Sequence, residues 1–182
     1  MNQKKIEEAM RLFLEGAGVS DPIASDLPQI VARDWPTQML CGYEQDPAKI
    51  LSVQFAPPGD QTVIVRDIAF TSVCCHHLLP FFGRAAVAYV PGKGVTGLSS
   101  LARLVDCFAR RLQTQERMTE QIVEALMSHL GAKGAACRVE ATQLCLNSRG
   151  PEKESARVVT TAFRGVLADS AQLREEFLRQ AI

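Results

Sequence analysis

Ser72-Val73-Cys74-Cys75-His76-His77-Leu78-Leu79-Pro80-Phe81 is the stretch on which the reading of this chain turns. It lies within the longest uncharged run, Ile68 to Gly83, whose two histidines and proline make it no lipid span. Just before it, Thr62 to Thr71 reads as a strand. Just after it, Arg84 to Val90 reads as another, ended by the turn signal Pro91-Gly92-Lys93-Gly94. The cysteines and histidines therefore occupy the junction between two strands. Upstream, Leu51 to Phe55 is a further β-like run, set off by the loop Pro57-Pro58-Gly59.

After Gly97 the apolar period changes from two to that of a helix. Leu101, Leu104, Val105 and Phe108 share one face of a helix predicted from about Ser99 to Arg111. Met118, Ile122, Ala125 and Leu126 do the same for a second from about Glu116 to Leu130, closed by Gly131. Two long strands follow, Ala135 to Leu146 and Ala156 to Phe163. A final helix starts near Ser170, with Asp169 as its cap and Gln172 three residues on.

At the other end, Ile6, Ala9, Met10, Phe13 and Leu14 mark an amphipathic helix over residues 2–16, stopped by Gly16-Ala17-Gly18. Asp21-Pro22 is a helix start, and Pro28 and Pro36 predict a bent or segmented helix from Pro22 to about Leu40. Strands, a helical pair, then strands give an α+β fold with a four-stranded antiparallel sheet over residues 51–182. Residues 1–50 form an N-terminal helical extension. Such a sheet leaves open edges, which oligomerisation would cover.

Composition narrows the function. At 182 residues, 47% hydrophobic, the chain can bury a sizeable core. Twenty basic residues balance twenty acidic ones, so nothing calls for a nucleic-acid or membrane partner. The first residues turn acidic too early for a signal peptide, and a cytoplasmic protein is expected. A disulfide framework is then disfavoured for the six cysteines, and metal binding or reactivity moves ahead of it. Cys41, Cys107 and Cys137 stand alone in apolar or helical surroundings and read as packing thiols.

Cys74 and His77 have Cys-x-x-His spacing, which lets two side chains of one turn reach one ion. Thiolate with imidazole suits zinc. Cys145, near the end of a later strand, is the candidate third ligand, which would leave a fourth position for water. The alternatives are a closed structural site with Cys75 or His76 as fourth ligand, or a core lined by these residues.

The same stretch resembles the zinc-binding signature of GTP cyclohydrolase I. So do Val87-Ala88-Tyr89-Val90-Pro91, Gly97-Leu98-Ser99, Ala102-Arg103, Arg111-Leu112-Gln113-Thr114-Gln115-Glu116-Arg117 and Arg149-Gly150, all in order. The resemblance covers about Thr62 to Gly165, with a weaker trace over Leu27 to Leu51. It implies the tunnelling fold (T-fold), in which sheets of several subunits close into a barrel. It also implies a homo-oligomer, usually a decamer, with sites at subunit boundaries. The implied reaction is zinc-dependent attack of water on C8 of GTP, formate release and reclosure to dihydroneopterin triphosphate.

Carried over residue by residue, the resemblance makes Cys74, His77 and Cys145 the Zn2+ ligands. Glu116 becomes the carboxylate that reads guanine, with Gln115 beside it. Ser99, Arg103 and Arg149 become polyphosphate or ribose contacts, and His76 a histidine that positions or protonates the purine. Three positions depart from the family pattern. Cys75 stands where glutamate is usual, Ser100 where a lysine meets the triphosphate, and Gln143 where a histidine moves protons. Leu27-Pro28-Gln29-Ile30 also replaces the usual Thr-Pro-x-Arg.

Glutamine has no useful pKa near 7, so Gln143 cannot be a general acid. The expectation is therefore a divergent cyclohydrolase that yields the pterin or stops at a ring-opened diaminopyrimidine nucleotide. The competing readings are a related purine or pterin-type substrate in a specialised pathway, a non-catalytic zinc- and guanine-binding paralogue, and an enzyme using Cys75 as nucleophile.

Overall fold

In the computed structural model, residues 1–21, 24–52, 54–56, 59, 61–149, 153 and 155–181 are described, without the side chain of Gln54. Pro22 of the expected helix start, Pro57-Pro58 of the expected loop and Gly150 of the Arg149-Gly150 pair lie outside these residues. The chain divides into two compact units, Met1–Cys41 and Gly42–Ile182.

In the first unit, α1 (Gln3–Gly16) starts at Asn2, whose side chain accepts from the Lys5 N–H, and Gly18 at φ +67° follows its end. The second helix, α2 (Leu27–Asp34), is shorter than expected. Pro28 sits in its first turn, where a missing N–H costs nothing, and Pro36 falls in a π-helical turn, Trp35–Met39.

A 3-10 turn, Cys41–Glu44, starts at the last residue of the first unit, and α3 (Pro47–Ile50) follows in the second. Of the strand expected over Leu51 to Phe55, Val53 lies outside the described residues and Gln54–Phe55 forms β1, paired with β4 (Val95–Thr96). Leu51 ends a helical turn that the Asp46 side chain caps at Ala48 and Pro47 opens. Two long strands follow, β2 (Val63–Cys74) and β3 (Pro80–Val90), both reaching further toward the Cys-His stretch than the sequence suggests. The helical pair is α4 (Leu98–Ala109) and α5 (Gln115–Ala125), with β5 (Leu112–Gln113) between them. After α5 a π-helical turn, Leu126–Leu130, ends at Gly131, whose φ of +65° is the left-handed value that favours glycine.

Next come β6 (Gly134–Gln143), the one-turn helix α6 (Leu144–Asn147) and β7 (Val158–Gly165). Cys145 is therefore on a helical turn after β6, not on the strand. The chain ends in α7 (Val166–Asp169) and α8 (Ala171–Gln180). Ser170, not Asp169, caps α8, accepting from the Leu173 N–H, because Asp169 is the last residue of α7.

The sheet order is β5-β2-β3-β6-β7. The four long strands are antiparallel as expected, and the short β5 adds in parallel at the end of β2, pairing Val73 with Leu112 and Cys74 with Gln113. One face carries Phe70, Cys74, Phe81, Val87, Cys137, Val139 and Ala141 against Leu101, Leu104, Met118 and Ile122 of the helical pair. Each buried Val, Leu, Ile, Phe or Met among them contributes about 1.5–3 kcal/mol, which fixes α4 and α5 on that face. The other face is covered in part by Leu167 and Phe177 of the C-terminal helices. Among the described residues, no helix is long and apolar enough to cross a membrane.

Candidate metal centre

The β2–β3 connection is a tight turn. The Cys74 N–H donates to Leu79 O at 2.8 Å, and the Leu78 N–H donates to Cys74 O at 2.9 Å. Closing the turn puts Leu78 at φ +56°, an uncommon value for a branched apolar residue, with its side chain 54% exposed. From the side, β5 holds the turn: the Cys75 N–H donates to Gln113 O at 2.9 Å. The turn thus keeps its shape through backbone bonds, and His76 and His77 project from it, exposed.

Cys74 is buried on the helix-covered face. Its Sγ lies 3.8 Å from His77 Nδ1. Cys145 arrives from α6, and the ligand atoms of Cys74, His77 and Cys145 all lie within 4.8 Å of one another. Zinc–sulfur and zinc–nitrogen bonds of about 2.3 and 2.0 Å at a tetrahedral angle put S and N roughly 3.5 Å apart. Two thiols and an imidazole at this spacing fit zinc. Among the described residues, the group contains neither Cys75 nor His76, although His76 Nδ1 is 4.0 Å from Cys74 Sγ. Three donors, not four, match an open site rather than a closed structural one. Burial and then the adjacent Cys74 thiol push the Cys145 thiol above its ordinary range, while the Arg149 charge opposes the rise.

A second set of residues braces the first. Gln113 is 1% exposed, yet every polar end of it is used. Its Nε2 donates to Phe108 O at 3.0 Å and to Gln121 Oε1 at 2.8 Å, and its Oε1 accepts from Arg117 Nε at 2.6 Å. Arg117 Nη2 also donates to Leu112 O. Gln115, 2% exposed, has its Nε2 against Val139 O, Val158 O and Thr160 Oγ1, and its Oε1 accepts from Gln143 Nε2 at 2.7 Å. Gln143 ends β6 opposite Phe81, two residues before Cys145. The Gln115–Gln143 bond therefore ties the first turn of α5 to the segment that brings Cys145.

Glu116 is exposed in that first turn, and its side chain makes no hydrogen bond or ion pair with any described residue. Ser99 and Arg103 are exposed, whereas Ser100 is 2% exposed and its Oγ accepts from Arg103 Nη2 at 3.1 Å. Arg103 also lines a groove of about 380 Å3 with Lys49, Asp46 and Asp106. No hydrogen bond among the described residues links this serine–arginine pair to the metal cluster. Arg149 is exposed near Cys145.

Sequence reasoning gave no role to Gln113, Arg117 or Thr160. The signal was faint: Gln113 and Gln115 are two apart, the spacing that points both side chains of an extended segment to one side.

The family model described as GTP cyclohydrolase I matches residues 6–181. A protein of Campylobacter lari named GTP cyclohydrolase 1 is 46% identical over 178 residues, 96% of this chain and 93% of that one. One of the same name from Wolinella succinogenes is 46% identical over 183 residues, 98% of this chain and 97% of its own. A solved structure, the apo form of an archaeosine synthase QueF-like protein, aligns with a TM-score of 0.47 at 16% identity, over 60% of this chain and 96% of that one.

Proposed function

The chain belongs to the GTP cyclohydrolase I family and is a hydrolase with GTP cyclohydrolase activity, and from that premise we propose how its own residues carry the reaction and where they halt it. The family takes GTP as substrate and is generally oligomeric. The observation that supports the reading is the grouping of Cys74, His77 and Cys145, joined through Gln143 and Gln115 to the helix turn that bears Glu116.

In this reading Cys74, His77 and Cys145 hold zinc. When bound, zinc supplies Lewis acidity and brings the pKa of a water to about 7. Glu116 accepts hydrogen bonds from the N–H edge of guanine; its side chain has no partner among the described residues, which leaves both oxygens for that role. Gln115 is committed to the core and serves Gln143 rather than the base. His76 lies beside the ligands and positions or protonates the purine. Ser99, Arg103, Arg149 and the first turn of α4 take the phosphates and ribose. Ser100 replaces a cation with a hydroxyl already turned to Arg103, so the triphosphate is held more weakly than where a lysine stands.

Opening at C8 and release of formate consume two waters and leave a ring-opened diaminopyrimidine nucleotide. Reclosure to the pterin needs further proton transfers, and Gln143 can hydrogen-bond but cannot give or take a proton near neutral pH. The ring-opened nucleotide therefore leaves as the main product. Residues 51–182 form the catalytic tunnelling-fold domain and residues 1–50 its N-terminal extension. The working unit is a cytoplasmic homodecamer with sites at subunit boundaries.

Zinc-loaded protein incubated with GTP and followed by mass analysis tests this. The reading expects one formate per GTP and a persistent ring-opened nucleotide. Dihydroneopterin triphosphate as the dominant product, or GTP left unchanged, would contradict it.

A further inference from the structure

Gln115 holds its orientation because every group on one side of its amide can only accept. Thr119 Oγ1 donates to Gln115 O at 2.8 Å, so the 2.7 Å contact between Thr119 Oγ1 and Thr160 Oγ1 must use the Thr160 proton. Thr160 Oγ1 then has only lone pairs for the Gln115 amide 3.2 Å away. Val139 O and Val158 O, the other two groups on that side, are carbonyls. Three acceptors on one side require the NH2 end of the Gln115 amide there. Its Oε1 is left facing residue 143, and it can bond there only to an N–H. The choice at Gln115 therefore fixes the choice at Gln143: Nε2 toward Gln115, Oε1 away from it.

We propose that Gln115 is a positioning residue that sets which hydrogen-bonding group position 143 offers to substrate. Gln143 lies on the helix-covered face one rung beyond Ala141, on the row that leads to Cys145. Held this way, it offers a carbonyl oxygen and one remaining N–H, which suits a substrate group carrying an N–H, such as the formamide of an opened purine. A histidine at 143 would be held by the same acceptor through one ring N–H, leaving its second nitrogen for substrate. The clamp thus serves either residue, and the side chain at 143 alone decides whether protons move. This rests on the cyclohydrolase reading above.

The test is a double-mutant cycle over Gln115→Met and Gln143→Met, with Thr160→Val as a milder variant in case Gln115→Met fails to fold. For GTP, Gln115→Met is expected to lower kcat about ten- to a hundredfold with KM changed less than about threefold, the range typical of residues that support a reacting group. Thr160→Val should lower kcat a few-fold, again without a KM change. The double variant should be no worse than Gln143→Met alone. Thermal unfolding of the metal-free protein should show the same non-additivity, which reads the Gln115–Gln143 bond whether or not GTP is turned over. A rise in KM at constant kcat, or effects that multiply independently in both measurements, would overturn the assignment. No turnover by the parent protein together with non-additive unfolding would instead refute the cyclohydrolase reading and leave the clamp standing.

Discussion

The turn Cys74–Leu79 and the segment Leu112–Arg117 build the same site in opposite ways. The turn is shaped by backbone bonds, including an unusual Leu78 conformation, and leaves His76 and His77 exposed for chemistry. The segment behind it buries Gln113 and Gln115 and uses their side chains on carbonyls and neighbouring amides. In the proposed reading the metal donors stand at this edge, and the buried Gln113 and Gln115 brace it from behind, while exposed Glu116 of the same segment meets the base. A site built this way should fail abruptly when the edge is altered and by degrees when the brace is.

The largest effect is expected at the edge. Cys145→Ala, or a chelator acting on the parent protein, should lower kcat/KM for GTP by on the order of a thousandfold or more, since the ligand set is broken. Metal analysis of the variant should show the matching loss; full zinc occupancy with Cys145 absent would remove it from the site. Next, Glu116→Ala should cut kcat/KM for GTP by about a hundredfold by leaving the guanine donors unpaired. Its unfolding temperature should move little, because the Glu116 side chain has no hydrogen-bond or ion-pair partner among the described residues and only its charge favours the start of α5.

Smaller effects probe the margins. Ser100→Lys restores a cation next to Arg103 and should lower KM for GTP by about three- to tenfold, with little change for guanosine. An equal change for both would place the residue away from the phosphates. At the turn itself, Leu78→Val should destabilise the fold by about 1–2 kcal/mol in denaturant titration, because a β-branched residue tolerates positive φ poorly. Leu78→Gly should not.

This asymmetry also explains what could be read from the sequence. Alternating and helical apolar periods placed the four long strands and the helical pair, because burial on one face imposes those periods. Cys74, His77 and Cys145 stood out as a rare combination of soft donors. What escaped notice depends on short-range competition. Asp46-Pro47 starts a helical turn that runs up to Leu51, Ser170 outcompetes Asp169 as a cap, and β6 ends before Cys145. The two-residue β5 is too short to carry a period, yet it positions the Cys74 turn. The family motif alone places Gln115 beside Glu116; the use of its amide depends on the acceptors of Val139, Val158 and Thr160, which are distant in sequence.

The central claim is that zinc-site chemistry opens the guanine ring while Gln143 withholds the proton transfers that would close the pterin. A time course of product masses from zinc-loaded parent and Gln143→His proteins, run side by side with GTP, tests it most directly. The account predicts formate with a persistent ring-opened nucleotide from the parent, and a clear shift toward dihydroneopterin triphosphate in the histidine variant. Equal pterin yield from the two proteins would contradict it.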